Sequence, residues 1–346
     1  MGVLIKIAGA TFTDEKYIIG KVDIPEVECE HAYDNACDTT CNLCGAVRTV
    51  QHNLVHVDAV APTDTENGNV EYWHCTVCDG YWLDKACTQP TTADDVVLLS
   101  IGSYPVQDTL KGLYDLGSGE DGTNDSLANH APNPVATGTP SINGDTHTVH
   151  EDYITFDGAG KNRMTPMLPT HALENGIALI ALFSNDATGS IARPLISNRR
   201  ATASARECGM ALYNDRVAIA VEGEDTPATF TFKDPIYTDN FAILAFVGDT
   251  NGFRVLRYSN GALANVEFKR GNAADAGEYM EEYVGSVNGW NTNVFQIGGD
   301  GTGNSFYTPT SISLAAIHEG VVTNKQLMQI SQFVKAYGEQ KGLTIE

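Results

Sequence analysis

Short apolar runs, rich in β-branched and aromatic residues, recur from residue 153 to residue 317 with Gly, Asn and Asp between them. They predict strands at 153–157, 177–183, 210–213, 217–221, 229–232, 241–247, 253–258, 266–268, 294–297 and 311–317. Their spacing of roughly 8 to 15 residues is that of a β-sandwich or barrel. No helical period falls between them, which argues against alternating β–α–β units. One helix is predicted near the end. Thr323 and Gln326 form a capping box, and Leu327, Ile330, Val334 and Tyr337 share one face, with Gly338 or Gly342 as the stop.

The front of the chain differs. Residues 1–27 carry two small apolar stretches (Val3, Leu4, Ile5, Ile7 and Tyr17, Ile18, Ile19, Val22), as in a hairpin or an arm that adds to a neighbour. Residues 28–92 have few aliphatic residues for their length, so this segment needs a staple other than an apolar core. The run 88–92 reads as a linker, and residues 96–346 form the predicted β domain.

Charge narrows the function. The chain has 346 residues, 21 basic against 44 acidic, and a net charge of -23. Nucleic-acid binding, which draws on Lys and Arg against phosphates, is not expected. The longest apolar runs, 177–183 and 241–247, fall far short of the about 20 residues that span a bilayer. Residues 1–95 hold 5 basic and 16 acidic groups, so they are more than twice as acidic per residue as the remainder.

Seven of the eight cysteines lie before residue 88, an awkward number for a pure disulfide framework. The start of the chain lacks the pattern of a signal peptide, pointing to a reducing compartment where clustered thiols are metal ligands more often than bridges. Cys41-Asn42-Leu43-Cys44-Gly45 and Cys75-Thr76-Val77-Cys78 repeat one spacing 34 residues apart. A two-residue gap lets one tight turn present both sulfurs to a tetrahedral ion, so structural zinc is expected, with about two ions per chain. Such thiol-rich sets are closed, which speaks against catalytic zinc.

The stretch from Cys29 to Lys85 resembles a small Cys/His-rich repeat of cell-surface and phage proteins of gut Firmicutes. The likeness is carried by His31, Tyr33, Asp34, Asn35, Cys37, Asp38, Cys41, Asn42, Cys44, Gly45 and Arg48, then by Gly68-Asn69-Val70-Glu71-Tyr72-Trp73 and Cys75-x-x-Cys78. It implies a first site of His31, Cys37, Cys41 and Cys44, and a second of His52, residue 64, Cys75 and Cys78. Asp64 stands where the repeat has a thiol, so a carboxylate would complete the second site, with Cys87, His56 or His74 as alternatives. Cys29 and Cys87 are left over, either as a pair clipping the module or as spare thiols. Cys208 reads as a small core residue.

Residues 96–346 resemble the concanavalin A-like lectin/glucanase superfamily in its laminin-G-like form. The likeness rests on Gly112-Leu113-Tyr114-Asp115-Leu116, on 119–126, on Tyr153-Ile154-Thr155-Phe156-Asp157-Gly158 and on the closing strand and helix. It implies a mainly β, jelly-roll sandwich that binds glycans, mediates adhesion or hydrolyses β-glucans. Hydrolysis needs two flanking carboxylates. Glu222, Glu224 and Asp225 lack the superfamily's E-x-D-x-x-E spacing, and Glu281 and Glu282 are adjacent, so a non-enzymatic protein is expected. For sugar, the candidates are Trp290 with Asn288, Asn291 and Asn293; for calcium, Asp121, Asn124, Asp125, Asp300 and Asn304. Arg199 and Arg200 read as ion-pairing residues.

The first segment resembles the leader arms of phage tail and baseplate proteins. The resulting expectation is a virion protein, made in the host cytoplasm, that contacts a surface glycan through the sandwich and other virion proteins or symmetry mates through the arm. The alternatives are a capsid-decoration or tail component binding only protein neighbours, a bacterial cell-surface adhesin, and a glycoside hydrolase.

Overall fold

A computed structural model describes residues 29–63, 65–117, 127–132, 140–144, 147–156, 163–165, 175–185, 193–199, 209–224, 226–272, 275–287, 294–299 and 309–346. The arm at 1–27 lies outside them. The predicted strands form two large antiparallel sheets. A nine-stranded sheet runs in the order Ala262–Asn265, Gly252–Ser259, Thr238–Asp249, Ile177–Asn185, Thr310–Glu319, Ile154–Phe156, His147–Val149, with Glu282–Val284 and Leu110–Asp115 added at Gly252–Ser259 and Thr310–Glu319. An eight-stranded sheet follows the order Phe268–Arg270, Ala228–Phe232, Arg216–Ile219, Met210–Leu212, Ile196–Ser197, Gln296–Ile297, Arg163–Thr165, Ser141–Asn143. Among the described residues the fold is a mainly β, two-sheet sandwich covered by one α-helix, as expected.

The strand Ile177–Asn185 shows why. In a strand, alternate side chains point to opposite faces. Ile177, Leu179, Ala181 and Phe183 pack toward the eight-stranded sheet against Ile196, Met210, Leu212, Val217 and Phe230. Ala178, Ile180 and Leu182 face the other way, with Ile243, Leu314 and Ala316, onto the helix residues Leu327, Ile330 and Val334. Burial on both faces requires an unbroken apolar run, which is what the sequence supplies. Between the sheets, Phe230, Phe246, Phe253 and Phe268 meet edge-on or offset, with ring centroids 4.9–5.8 Å apart. Where one strand is expected over 266–268, only Phe268 lies in a strand. Ala262–Asn265 pairs with Gly252–Ser259 and Phe268–Arg270 with Ala228–Phe232, so the chain crosses from one sheet to the other at Val266 and Glu267.

The helix Asn324–Gln340 starts on the expected capping box, Thr323 with Gln326. It ends where the N–H groups of Gly342 and Leu343 turn back to the carbonyls of Glu339 and Gly338. Gly342 has φ +81°, a left-handed value that glycine takes without steric cost, so Gly342 and not Gly338 is the stop. Beside it, Asp115 is 4% exposed and accepts from the Tyr337 hydroxyl and the Lys341 ammonium.

Residues 29–95 form a small unit of short strands, Leu54–Val57, Tyr72–Cys75, Tyr81–Trp82 and Pro90–Thr91, in that order in one sheet. The expected linker at 88–92 therefore contributes a strand. Gly68–Asn69 pairs with Val97–Leu98, while Leu99 N–H donates to Gln340 Oε1 at 2.9 Å, tying this unit to the helix. Among the described residues no helix is long and apolar enough to cross a membrane.

His318 is fully buried in Thr310–Glu319, with the Tyr104 hydroxyl 3.0 Å from Nε2 and the Thr109 hydroxyl 3.0 Å from Nδ1. Two hydroxyls satisfy a neutral ring. Burial pushes its pKa down from 6.5 to about 4, against a weaker opposing effect of Asp108. The unfolded chain therefore takes up this proton first, and the stability from a neutral His318 is full above pH 6.5 and lost as pH falls toward 4. A shift of this size corresponds to about 3 kcal/mol. Denaturant titrations at pH 7 and pH 4 are expected to show a smaller pH difference in His318→Gln than in the parent chain; equal differences would contradict this assignment.

Candidate metal centres

The two cysteine pairs fold into the same turn. Cys41 N–H bonds to the Ala46 carbonyl and Gly45 N–H to the Cys41 carbonyl, both at 2.9 Å. Thirty-four residues on, Cys75 N–H bonds to Gly80 and Asp79 N–H to Cys75, again at 2.9 Å. Residue 45 has φ +71° and residue 79 has φ +57°, so each turn closes on a left-handed residue. Gly45 takes this shape freely. Asp79 is held by its carboxylate, 2.6 Å from His74 Nε2.

Around these turns the chain gathers two complete four-ligand groups. Cys29, His31, Cys41 and Cys44 form one; Cys37, His52, Cys75 and Cys78 form the other, and within each the ligand atoms lie within 4.8 Å of one another. In the first, Cys29 and Cys41 sulfurs are 3.9 Å apart and Cys44 Sγ is 3.3 Å from His31 Nδ1. In the second, Cys37 and Cys75 sulfurs are 3.6 Å apart and Cys78 Sγ is 3.4 Å from His52 Nδ1. A tetrahedral ion at about 2.3 Å from sulfur and 2.0–2.1 Å from nitrogen sets its ligand atoms about 3.6–3.8 Å apart, so both groups fit one. A disulfide needs sulfurs at about 2.05 Å, and these cysteines are unbridged. Both groups can hold a metal ion.

The grouping differs from the one that the resemblance implies. Cys37, expected in the first site, belongs to the second; Cys29, expected to be left over, completes the first. The cause is the loop between His31 and Cys41. Cys37 N–H donates to Asn35 Oδ1 at 2.8 Å, and the Arg48 guanidinium donates to the carbonyls of Asn35 and Asp38, each at 2.8 Å. Clamped this way, the loop turns Cys37 out of the first site and toward Cys75. Asp64 lies outside the described residues, and the second group has four ligands without it. His56 bonds to Glu71 at 2.8 Å and His74 to Asp79, while Cys87 belongs to neither group, so none of the three alternatives supplies the fourth ligand. Nor do Cys29 and Cys87 pair. Simple ligand balance was the available clue: six cysteines and two histidines divide into two equal sets with no carboxylate.

Thiol acidity is split within each group. Hydrogen bonding to Cys44, then burial and Cys41, pushes the Cys29 thiol up to about 12. Burial, then Cys75 and Cys78, does the same to Cys37, also to about 12. Burial opposes ionisation of Cys41 and Cys75 too, but there it is outweighed. The N–H groups of Cys44 and Leu43, with His31, bring Cys41 down to about 5. Those of Cys78 and Val77, with His52, bring Cys75 down to about 6. Three thiols packed this closely share protons; a divalent cation would displace them and carry the negative charge instead.

The remaining candidates stand elsewhere. Trp290, Asn288, Asn291 and Asn293 lie outside the described residues, as do Asp121, Asn124, Asp125, Asp300, Asn304, Arg200, Cys208 and the acid Asp225. Glu224 pairs with Arg270, and Glu281 accepts from Asn265 at 2.9 Å. Arg199 donates to the Tyr213 hydroxyl at 3.0 Å.

No protein-family model matches the chain. No curated protein matches it either. Among solved structures, domain 4 of AbnA, a GH43 extracellular arabinanase from Geobacillus stearothermophilus, in complex with arabinotriose, is 15% identical. That likeness covers 65% of this chain and 98% of that one, with a TM-score of 0.36. The Ca²⁺-bound exoplasmic/lumenal domain of VIP36 is 11% identical over 62% of this chain and 94% of its own, with a TM-score of 0.35. Trypanosoma rangeli sialidase is 14% identical, covering 66% of this chain and 34% of that one, with a TM-score of 0.39. These likenesses assign the chain to no family.

Metal ligation should govern thiol reactivity. In the metal-loaded native chain, alkylation followed by mass mapping is expected to modify Cys87 and spare the six grouped cysteines. After chelation all six should react. Modification of the six at equal rates with and without a chelator would show that they do not hold an ion.

Proposed function

We propose that this chain is a non-enzymatic attachment protein in which two structural zinc ions build a rigid spacer on a lectin-like sandwich. The observation that carries the reading is the pair of complete Cys₃His groups. Four protein ligands close a tetrahedral ion, leaving no position for a substrate or an activated water. Thiolate-rich tetrahedral sets favour zinc over the hard cations that prefer oxygen. A spacer of this kind fits a part that holds a binding domain in place.

The sandwich would then contact a surface glycan, in line with its resemblance to the lectin/glucanase superfamily, with Trp290 as the platform and Asn288, Asn291 and Asn293 for the hydroxyls. Calcium bound by the loop residues Asp121, Asn124, Asp125, Asp300 and Asn304 would assist. The setting we favour is a virion, with the arm at 1–27 joining symmetry mates or other particle proteins; a bacterial surface is the alternative. A second reading, a particle component that binds only protein neighbours, is favoured by Val284 and Val321. These are 80% and 74% exposed and flank a cleft lined by Val247, Phe253 and Arg254.

Metal analysis of the purified chain is expected to find about two zinc ions. On a glycan array or host cell-wall polysaccharide, the chain should bind, and Trp290→Ala should weaken binding on the order of tenfold, equivalent to about 1.4 kcal/mol. Binding to particles lacking this protein, independent of sugar, would support the second reading instead. Reducing-sugar release abolished by one carboxylate-to-amide change would overturn the non-enzymatic one.

A further inference from the structure

The two metal groups are interleaved along the chain. Cys29, His31, Cys41 and Cys44 serve the first, yet Cys37, between His31 and Cys41, serves the second. The loop that carries half of the first site is therefore held at its midpoint by the second.

The two sites also differ in support. Cys75 ends the strand Tyr72–Cys75, which pairs with Leu54–Val57 in the register Leu54 to Cys75, and Tyr72–Cys75 pairs in turn with Tyr81–Trp82. His52 stands two residues before that partner strand, its ring 4.4 Å from the Trp82 ring. The second site is thus built on a sheet, and its ligands are buried or half-buried. The first has no strand of that sheet among its ligands. Its local ladder is the single bridge between Thr40 and Val47, and both His31 and Cys44 are exposed. Its loop is held besides by Asn42, which donates to the Ala32 carbonyl and to Asp34, and by Asp38, which accepts from the Asp34 and Thr40 N–H groups. Above all it is held by Arg48, which follows the first turn, donates to Asn35, Ala36 and Asp38, and lies 3.6 Å over the Tyr33 ring.

We propose that the second metal site is the organising one and that the first fills tightly only when the second is occupied, with the Cys37 loop and its Arg48 clamp as the coupling element. This deepens the two-zinc reading and rests on it. Coupling between two sites is mutual in free energy. The asymmetry arises because the sheet preorganises the second site. It keeps its ion when the coupling is removed, whereas the loop-built first site does not. Ligand-bearing loops without such support lose affinity by the fraction of time they spend in other conformations.

The test uses the full-length chain, equilibrated against buffered Zn²⁺ and then analysed for metal, with Co²⁺ substitution to read each thiolate site by its absorption. The parent chain is expected to hold two ions, and Cys44→Ala one. Cys78→Ala should bind zinc at its first site at least tenfold more weakly than the parent, although all four first-site ligands are intact. His52→Cys, which preserves four ligands at the second site, should retain both ions and separates metal loss from damage by substitution. Arg48→Ala removes no ligand and should still weaken the first site severalfold. A Cys78→Ala chain whose first site keeps parental affinity overturns the proposal, and so does a Cys44→Ala chain that loses both ions. An Arg48→Ala chain with a parental first site removes the clamp from it. A parent chain that binds no zinc defeats the two-zinc reading itself.

Discussion

Burial of the central strands of the nine-stranded sheet, Ile177–Asn185 and Thr310–Glu319, on both faces is the constraint around which the rest of the molecule is arranged. One face needs a second sheet, and the eight short strands from Ser141–Asn143 to Phe268–Arg270 supply it. The other face needs a cover as well, supplied by the helix Asn324–Gln340 with Ile101 and Tyr104. Once the helix lies there, its C-terminal end presents Gln340 to Leu99 and Lys341 to Asp115. The front unit is thereby fastened to the same element that closes the sandwich.

That front unit obeys a different rule. Among its described residues 29–95, the only buried side chains are Cys37, Cys41 and Cys75, the remaining buried position being Gly68. Three sulfurs replace the aliphatic core that a segment of this size cannot assemble. Trp82 is half-buried against the ring of His52, a member of the second group, at 4.4 Å, while Trp73 stacks at 4.7 Å on His56, which belongs to neither group. The strong negative charge of this part of the chain suits such a construction, because a cation held by the grouped thiols would offset charge where an apolar core would have left it.

Much of this was legible in advance, for local reasons. A strand buried on two faces demands a continuous apolar run, so 177–183 and 241–247 announced themselves. The capping box at Thr323 and Gln326 is a contact between residues three apart and needs no tertiary information. The same holds for the Cys-x-x-Cys turns, whose backbone bonds close within six residues. The module's short strands were missed, since two- to four-residue pairings such as Tyr81–Trp82 with Pro90–Thr91 carry too little pattern to stand out from turns.

The sequence alone thus established a β-sandwich with a capped helix and a thiol-rich module with two Cys-x-x-Cys turns, because periodicity and short-range spacing encode those features directly. Only the tertiary structure decided which thiols and histidines come together. His31 and Cys41 leave a loop between them that could turn Cys37 either way at no difference in spacing. Its direction is set by Asn35, by Arg48 reaching back from beyond the first turn, and by Cys75 waiting 38 residues downstream. Those contacts are distant in sequence, and so the partition into two Cys₃His groups appears only when the chain is folded.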